Sequence, residues 1–297
     1  MEGLEMKILV VTKESKYEYD RRRYSLDHEA ILAKYRSEHA NVDEICESHA
    51  RQVAARDELK RLLPEAEYTS MEHVDARIEG YDLVVSFGGD NLFTYVSHFL
   101  DGTKLVGVNS DLARSTGALC RWSARDLKGL VHAVKRGECR VEEWTRLSCT
   151  IDGKEIVRAT SEYVFSEERP TKDMTTQVIR YRGKETKHKS TSIIVATGAG
   201  STGYYASAAI HTHPDGCYFS PMEKKVVFTV ESPYLYGGKQ EPLTGELGPG
   251  EELEIYSLND QKGIAQADSW TDHPFVRGSR AVIRIADEPL RVVVPKS

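Results

Sequence analysis

A chain of 297 residues exceeds one typical domain, so two domains with a sizeable core are the expected arrangement. Its net charge is -6 and its pI about 6.0, with 40 Lys and Arg residues scattered among 46 Asp and Glu. That balance excludes the overall basic footprint of a nucleic-acid or anionic-membrane binder, so any anionic ligand has to be met locally. Five cysteines, Cys46, Cys120, Cys139, Cys149 and Cys217, form no Cys-x-x-Cys pair; such an odd set predicts free thiols in a reducing compartment, hence a cytoplasmic protein. No stretch approaches the ~20 apolar residues of a membrane span. The start, "MEGLEMKILVV", shows no basic segment before a long apolar run, so neither leader nor membrane anchor is expected.

In chain order, "MKILVVTK", residues 6 to 13, predicts a buried strand. From Leu26 to Leu63 the composition turns to Ala, Glu, Arg, Leu and Lys at helical spacing, with Ile31, Tyr35, Val42, Ile45, Val53 and Leu59 as the buried stripe. "YDLVVSF" and "KLVGVN" are further strands, separated by an amphipathic helix carrying Leu92, Phe93, Val96, Phe99 and Leu100. Strand, helix, strand means a parallel sheet. "ARDLKGLVHAVKRGE" predicts another helix ending near Gly137. After Arg140 the texture becomes β-rich: an Asp-Gly turn in "TIDGKE" and an Arg-Gly turn in "RYRGKE" sit between Val, Ile and Thr runs, so antiparallel hairpins follow. "KKVVFTVES", "EELEIYSL" and "SRAVIRIADEPLRVVV" extend that signal to the end. The expected fold is an α/β N-terminal domain with a parallel sheet and a mainly-β C-terminal domain.

Two constellations carry chemistry. "VVSFGGDNLF" places Gly88, Gly89 and Asp90 at the C-terminal end of a strand, where ligands bind in open α/β sheets. Read alone, Asp90 is the N-cap of the next helix; read with the glycines, it is a carboxylate at a phosphate-favouring helix start. "SIIVATGAGSTGYYASAAI" carries Gly198, Gly200 and Gly203 between a strand and a helix. The match to GxGxxG is literal, but a dinucleotide fold of that type needs an acid about 20 residues on inside a βαβ unit. The next strand comes too late, so a phosphate or ribose loop of another kind, or a plain turn, is the better reading.

Taken together, "GGD", "GVN", the acid of "TSEYVF", "TGAGSTGYYASA" and "QADS", in that order, resemble the NAD kinase family, whose stretches read GGDGT, GxN, NE, TGSTAY and DG. The likeness runs over nearly the whole chain. "KYEYDRRRY" and "GVNSDLARSTGALC" resemble the branch containing the animal mitochondrial NAD kinase. The resemblance implies residues 1-139 as an α/β domain and 140-297 as a mainly-β nucleotide-binding domain, with the return of the last strand to the first domain left open, and the dinucleotide in a cleft between them. It implies Asp90 as the catalytic acid near the ribose 2′-hydroxyl, with Gly88, Gly89 and Asn91 beside it and Asn109 at the sheet edge. Ser161 and Glu162 take the place of the NE pair. Thr197, Gly198, Gly200, Ser201, Thr202, Gly203 and Tyr204 match TGSTAY, and Asp268 the Asp of DG, where Ser269 replaces Gly.

The implied reaction is phosphate transfer from ATP, with Mg2+, to the 2′-hydroxyl of NAD+. Small-molecule nucleotides are the implied partners, without nucleic acid or membrane, in a homodimer or homotetramer. The third glycine and the threonine of GGDGT are replaced by Asn91 and Leu92. Asn tolerates a left-handed backbone and would keep the turn, whereas Leu92 has no hydroxyl for a phosphate and would turn into the core. Two rivals follow: a non-catalytic NAD(P)-binding protein that keeps the site, and a related kinase with another substrate. "HTHPD" offers histidines two apart without a second ligand group, a thin zinc case, and no protein-held metal site is expected. A P-loop GxxxxGK[ST] and a GxSxG elbow are both missing from the sequence.

Overall fold

A computed structural model describes residues 6-170, 172-234, 241-259 and 262-296. They form two compact units: the chain up to Glu142 together with the residues from Arg291 onward, and Glu143–Leu290. The first unit contains β1 (Ile8–Thr12), α1 (Lys16–Tyr24), α2 (His28–Ser37), α3 (Val42–Leu62), β2 (Glu67–Ser70), β3 (Leu83–Gly88), α4 (Asp90–Ser97), β4 (Lys104–Asn109), β5 (Trp122–Ser123), α5 (Leu127–Arg136) and β6 (Arg140–Trp144). The second contains β7 (Leu147–Ile151), β8 (Lys154–Glu155), β9 (Glu162–Glu167), β10 (Thr175–Tyr181), β11 (Lys184–Ser190), β12 (Ser192–Ala196), α6 (Tyr204–Ala208), β13 (Val226–Glu231), β14 (Thr244–Leu247), β15 (Leu253–Ser257), β16 (Gly263–Ala267), β17 (Thr271–Pro274) and β18 (Arg280–Ile285). A last strand, β19 (Leu290–Val294), joins the sheet of the first unit.

That sheet runs β2-β1-β3-β4-β19-β6, with β5 also on β4. β1, β2, β3 and β4 pair in parallel, as does β19 with β4. The central strands are continuous Ile, Leu and Val runs buried on both faces, the pattern of a parallel sheet covered by helices. Leu59 and Leu63 of the α3 end and Leu127, Leu130 and Val134 of α5 pack on Val10, Val85 and Val108. The helical stretch read as one from Leu26 to Leu63 is two helices, because His39 takes a left-handed φ of 56° and breaks it. Ile31, Tyr35, Ile45 and Leu59 are buried, while Val42 and Val53 are only half-buried. α5 closes on Gly137 at φ 66°, the left-handed C-cap that glycine accepts without a Cβ clash.

The second unit is two antiparallel sheets, β11-β10-β15-β18-β7-β8 and β14-β13-β12-β9-β16-β17. Alternate residues of β7, β10 and β15 are buried, so Cys149, Ile179 and Ile255 of one sheet share a core with Phe165, Val195 and Phe228 of the other. Asp152-Gly153 and Arg182-Gly183 both take positive φ, the two-residue hairpin turns that match strand twist. On β11, His188 lies buried opposite Gln177 of β10, and neither His188 Nε2 nor the Gln177 amide finds a hydrogen-bond partner. Burial holds the imidazole below its ordinary value of 6.5. Protonation then favours the unfolded chain, so this stability is present above about pH 6.5 and is lost as pH falls through the lowered folded value. His188→Leu is expected to flatten the acid limb of the denaturant midpoint against pH; an unchanged limb would place the acid sensitivity elsewhere.

Candidate functional site

In the first unit β3 ends at Gly88, Gly89 is the N-cap of α4, and Asp90 is its first helical residue. Asp90 is therefore not the cap. Its carboxylate turns outward and accepts three backbone N–H groups of the following loop, Ala118 at 2.8 Å, Leu119 at 3.0 Å and Cys120 at 3.3 Å. Of about four lone-pair positions on a carboxylate, most are thereby occupied. The Gly88 carbonyl accepts from Ser110 N–H at 2.8 Å and Oγ at 2.9 Å. A Cβ on Gly88 would sit 2.9 Å from Leu92 Cδ2 and 3.3 Å from Lys13 Cε, so a side chain there would have to displace one of these two. The left-handed turn expected at Asn91 does not form: Asn91 is exposed inside right-handed α4. Leu92, Phe93 and Val96 are fully buried.

Asn109 is buried, and both ends of its amide are used: Nδ2 donates to Ser115 O at 2.8 Å and Oδ1 accepts Asp111 N–H at 3.0 Å. Gly117, at φ 66°, lies against it, where a Cβ would be 2.4 Å from Nδ2. Sequence reasoning missed the next residue. Asp111 accepts Ser48 Oγ at 2.6 Å and Arg51 at 3.0 Å and 3.1 Å, both from α3. Burial works to raise this carboxyl, but Arg51, Ser48 and the Ala113 N–H together hold it below the ordinary range. It also missed Lys13, the residue directly after β1. Its stem lies against Gly88, and burial lowers its ammonium against the opposing pull of Cys120 and Asp90. Burial and then the Asp90 charge push the Cys120 thiol well up, which makes it inert as a nucleophile at neutral pH.

In the second unit Asp268 repeats the device of Asp90. It accepts backbone N–H groups of Thr160 at 2.7 Å, Ser161 at 2.7 Å and Glu162 at 2.9 Å. Asp268 and Ser269 stand at φ 48° and 60°, so Ser269 occupies a left-handed position that favours glycine. The Thr197 hydroxyl donates to Thr160 O at 2.6 Å and accepts the N–H groups of Ala199 and Gly200. A Cβ on Gly198 would meet Ser220 O at 2.2 Å, and one on Gly200 would meet Ser161 O at 2.3 Å and Glu162 Oε2 at 2.9 Å. Those two glycines serve close packing, while Gly203 is open. The Ser201 hydroxyl is buried on Gly198 O at 2.7 Å. Thr202 and Tyr204 face outward, and the Tyr204 phenol donates to Glu231 at 2.9 Å; burial, then this bond, raises it to about 12.

Glu162 begins β9, is buried, and lies beside Asp268 and Gly200. Burial, reinforced by the Asp268 charge, raises its carboxyl to about 8, so near neutrality it keeps its proton and is a hydrogen-bond donor. Among the described residues no cluster of three His, Cys, Asp or Glu is placed to hold a metal ion, and the described cysteines are free. Among them also, no helix is long and apolar enough to cross a membrane.

A parallel α/β unit with this Gly-Gly-Asp corner, followed by a mainly-β unit, is the fold of the NAD kinases. A solved NAD kinase from Archaeoglobus fulgidus, in complex with ATP, matches 97% of this chain and 93% of its own at a TM-score of 0.65 and 21% identity. Yeast NADH kinase complexed with NADH matches 99% and 85% at a TM-score of 0.70 and 14% identity. In sequence, a protein of Oryza sativa subsp. japonica named a probable NADH kinase is 25% identical over 245 residues, covering 74% of this chain and 73% of that one. No family model matches the chain. The names of relatives and structural neighbours, NAD kinases and NADH kinases alike, support that one family.

The protonated acid generates a prediction. Folding holds the Glu162 proton up to about pH 8 against an ordinary value of 4.5, so its stabilisation is full below about pH 4.5 and is lost as pH rises through about 8. Glu162→Gln, isosteric with the protonated acid, is expected to flatten the fall of the denaturant midpoint between about pH 4.5 and pH 8. Parallel curves for the two proteins would mean the carboxyl is already ionised.

Proposed function

We propose that this chain is a kinase of NAD(H), transferring the terminal phosphate of ATP to the 2′-hydroxyl of NAD+ or NADH. The observation that carries the reading is the likeness of fold along nearly the whole chain to an NAD kinase and an NADH kinase, joined to a carboxylate at the C-terminal edge of a parallel sheet. Within the family, the "KYEYDRRRY" segment supports the branch with the animal mitochondrial enzyme. We assign donor handling to the α/β unit and nucleotide recognition to the mainly-β unit, in a cytoplasmic homodimer or homotetramer.

Asp90 orients the acceptor hydroxyl and receives or directs its proton. Gly88, Gly89 and Asn109 hold the corner in shape for it. Glu162, as a neutral acid, donates to an acceptor on the nucleoside, while Ser161, Thr202 and Tyr204 offer further polar contacts, and Asp268, Thr197 and Ser201 keep that loop in register. Mg2+ would be held by a carboxylate and substrate phosphates, with the lone-pair position that Asp90 keeps beside its three loop N–H groups as the protein's contribution. When bound it supplies charge neutralisation on the phosphate oxygens. The chain itself aligns acceptor and donor, which with charge stabilisation is most of what phosphoryl transfer needs.

Purified protein incubated with ATP, Mg2+ and either NAD+ or NADH is expected to yield NADP+ or NADPH. Binding of either nucleotide without product would favour the non-catalytic reading, and product from NADH alone would fix the acceptor. Asp90→Asn is expected to lower turnover by about 100-fold or more. It is also expected to lose about 2 kcal/mol of stability, because the new amide cannot accept one of the three loop N–H groups. Wild-type turnover in that variant would remove Asp90 from the chemistry.

A further inference from the structure

We propose that Lys13 is the residue that grips the phosphate chain of the donor at the Gly-Gly-Asp corner. The inference rests on the kinase reading above, but it comes from four observations at the sheet edge. Thr12 pairs with Phe87 in the parallel register of β1 and β3, so Lys13 leaves β1 beside Gly88, the last residue of β3, at the C-terminal edge of the sheet. The Lys13 stem follows Gly88, with Cε 3.3 Å from the position a Cβ would take. The adjoining Asp90 carboxylate accepts the N–H groups of Ala118, Leu119 and Cys120, and its charge acts on the Lys13 ammonium at the same corner. Finally, Leu92, in the first turn of α4, also packs against Gly88 and is wholly buried, so at this position the helix start offers no hydroxyl to an incoming phosphate.

The corner thus combines a half-buried ammonium with a carboxylate that also holds its own loop. A lysine on a flexible four-carbon stem is a point charge suited to phosphate oxygens. The alternative use of Lys13 is packing alone, its methylenes covering Gly88. The two uses separate cleanly, because Lys13→Met keeps the stem and removes the charge, and Lys13→Arg keeps a charge.

The experiment measures KM for ATP, KM for NAD+ and kcat in wild type, Lys13→Met and Lys13→Arg. Binding of inorganic tripolyphosphate to each is followed by calorimetry, and thermal melts confirm folding. Lys13→Met is expected to raise KM for ATP about 10-fold or more and abolish tripolyphosphate binding, leaving KM for NAD+ within about twofold. Lys13→Arg is expected to recover most of both. If Lys13→Met does not fold, Lys13→Gln takes its place. An active wild type whose Lys13→Met variant keeps its KM for ATP overturns the assignment of Lys13 and leaves the kinase reading standing. An inactive wild type that binds tripolyphosphate only through Lys13 does the reverse. A wild type with neither property overturns both.

Discussion

Asp90 and Asp268 each hold three consecutive backbone N–H groups, those of 118-120 in one unit and 160-162 in the other. Hydrogen bonds to an ionised acceptor contribute about 1.5 to 3 kcal/mol apiece, and each set converges on one side chain, so losing that side chain frees a whole loop. The geometry explains what surrounds it. Asp90 can reach residues 118-120 only because it is the first residue of α4 and not its cap, which leaves the cap to Gly89. Asp268 reaches 160-162 only from a left-handed backbone, which Ser269 extends. Both acids stand where catalytic or nucleotide-binding acids were expected, and both work first as loop anchors.

The anchors set the packing around them. With 160-162 fixed, the Ser161 carbonyl accepts from Thr197 and blocks any side chain at Gly200. The acid of Glu162 is then enclosed beside Asp268, and burial keeps its proton in place. In the first unit Leu92 and Lys13 both close on Gly88, two residues before Asp90. Burial at each anchor shifts ionisation nearby, lowering Lys13 in the first unit and raising Glu162 in the second.

The parallel unit and the hairpins were legible because each rests on local chemistry: apolar runs too long to alternate for β1, β3 and β4, and Asp-Gly or Arg-Gly turns for β7-β8 and β10-β11. β2 was not, since "EYTS" is half-exposed and has no apolar run. Motif order singled out the candidate residues but did not show their structural duties. That Asp90 faces amides, that Gly198 and Gly200 are steric, and that Ser201 is buried depend on which backbone passes nearby, and a linear pattern does not hold that information. Lys13 and Asp111 were missed for the same reason, although Lys13 directly follows β1 and Asp111 stands two residues after β4, positions sequence alone can identify.

The anchoring of Asp90 has a consequence for the outer surface of the first unit. Ser48 and Arg51 of α3 hold Asp111, Asp111 with Asn109 shapes the segment that follows, and that segment delivers the three amides to Asp90. The helix is thus mechanically geared to the acid through a run of polar couplings, without touching it. Arg51 is 40% exposed at its side chain, so dissolved ions reach the first tooth of that gear. Dissolved salt screens the Arg51–Asp111 pair, so substitutions on this outer face of α3 bear on the loop whose amides meet Asp90.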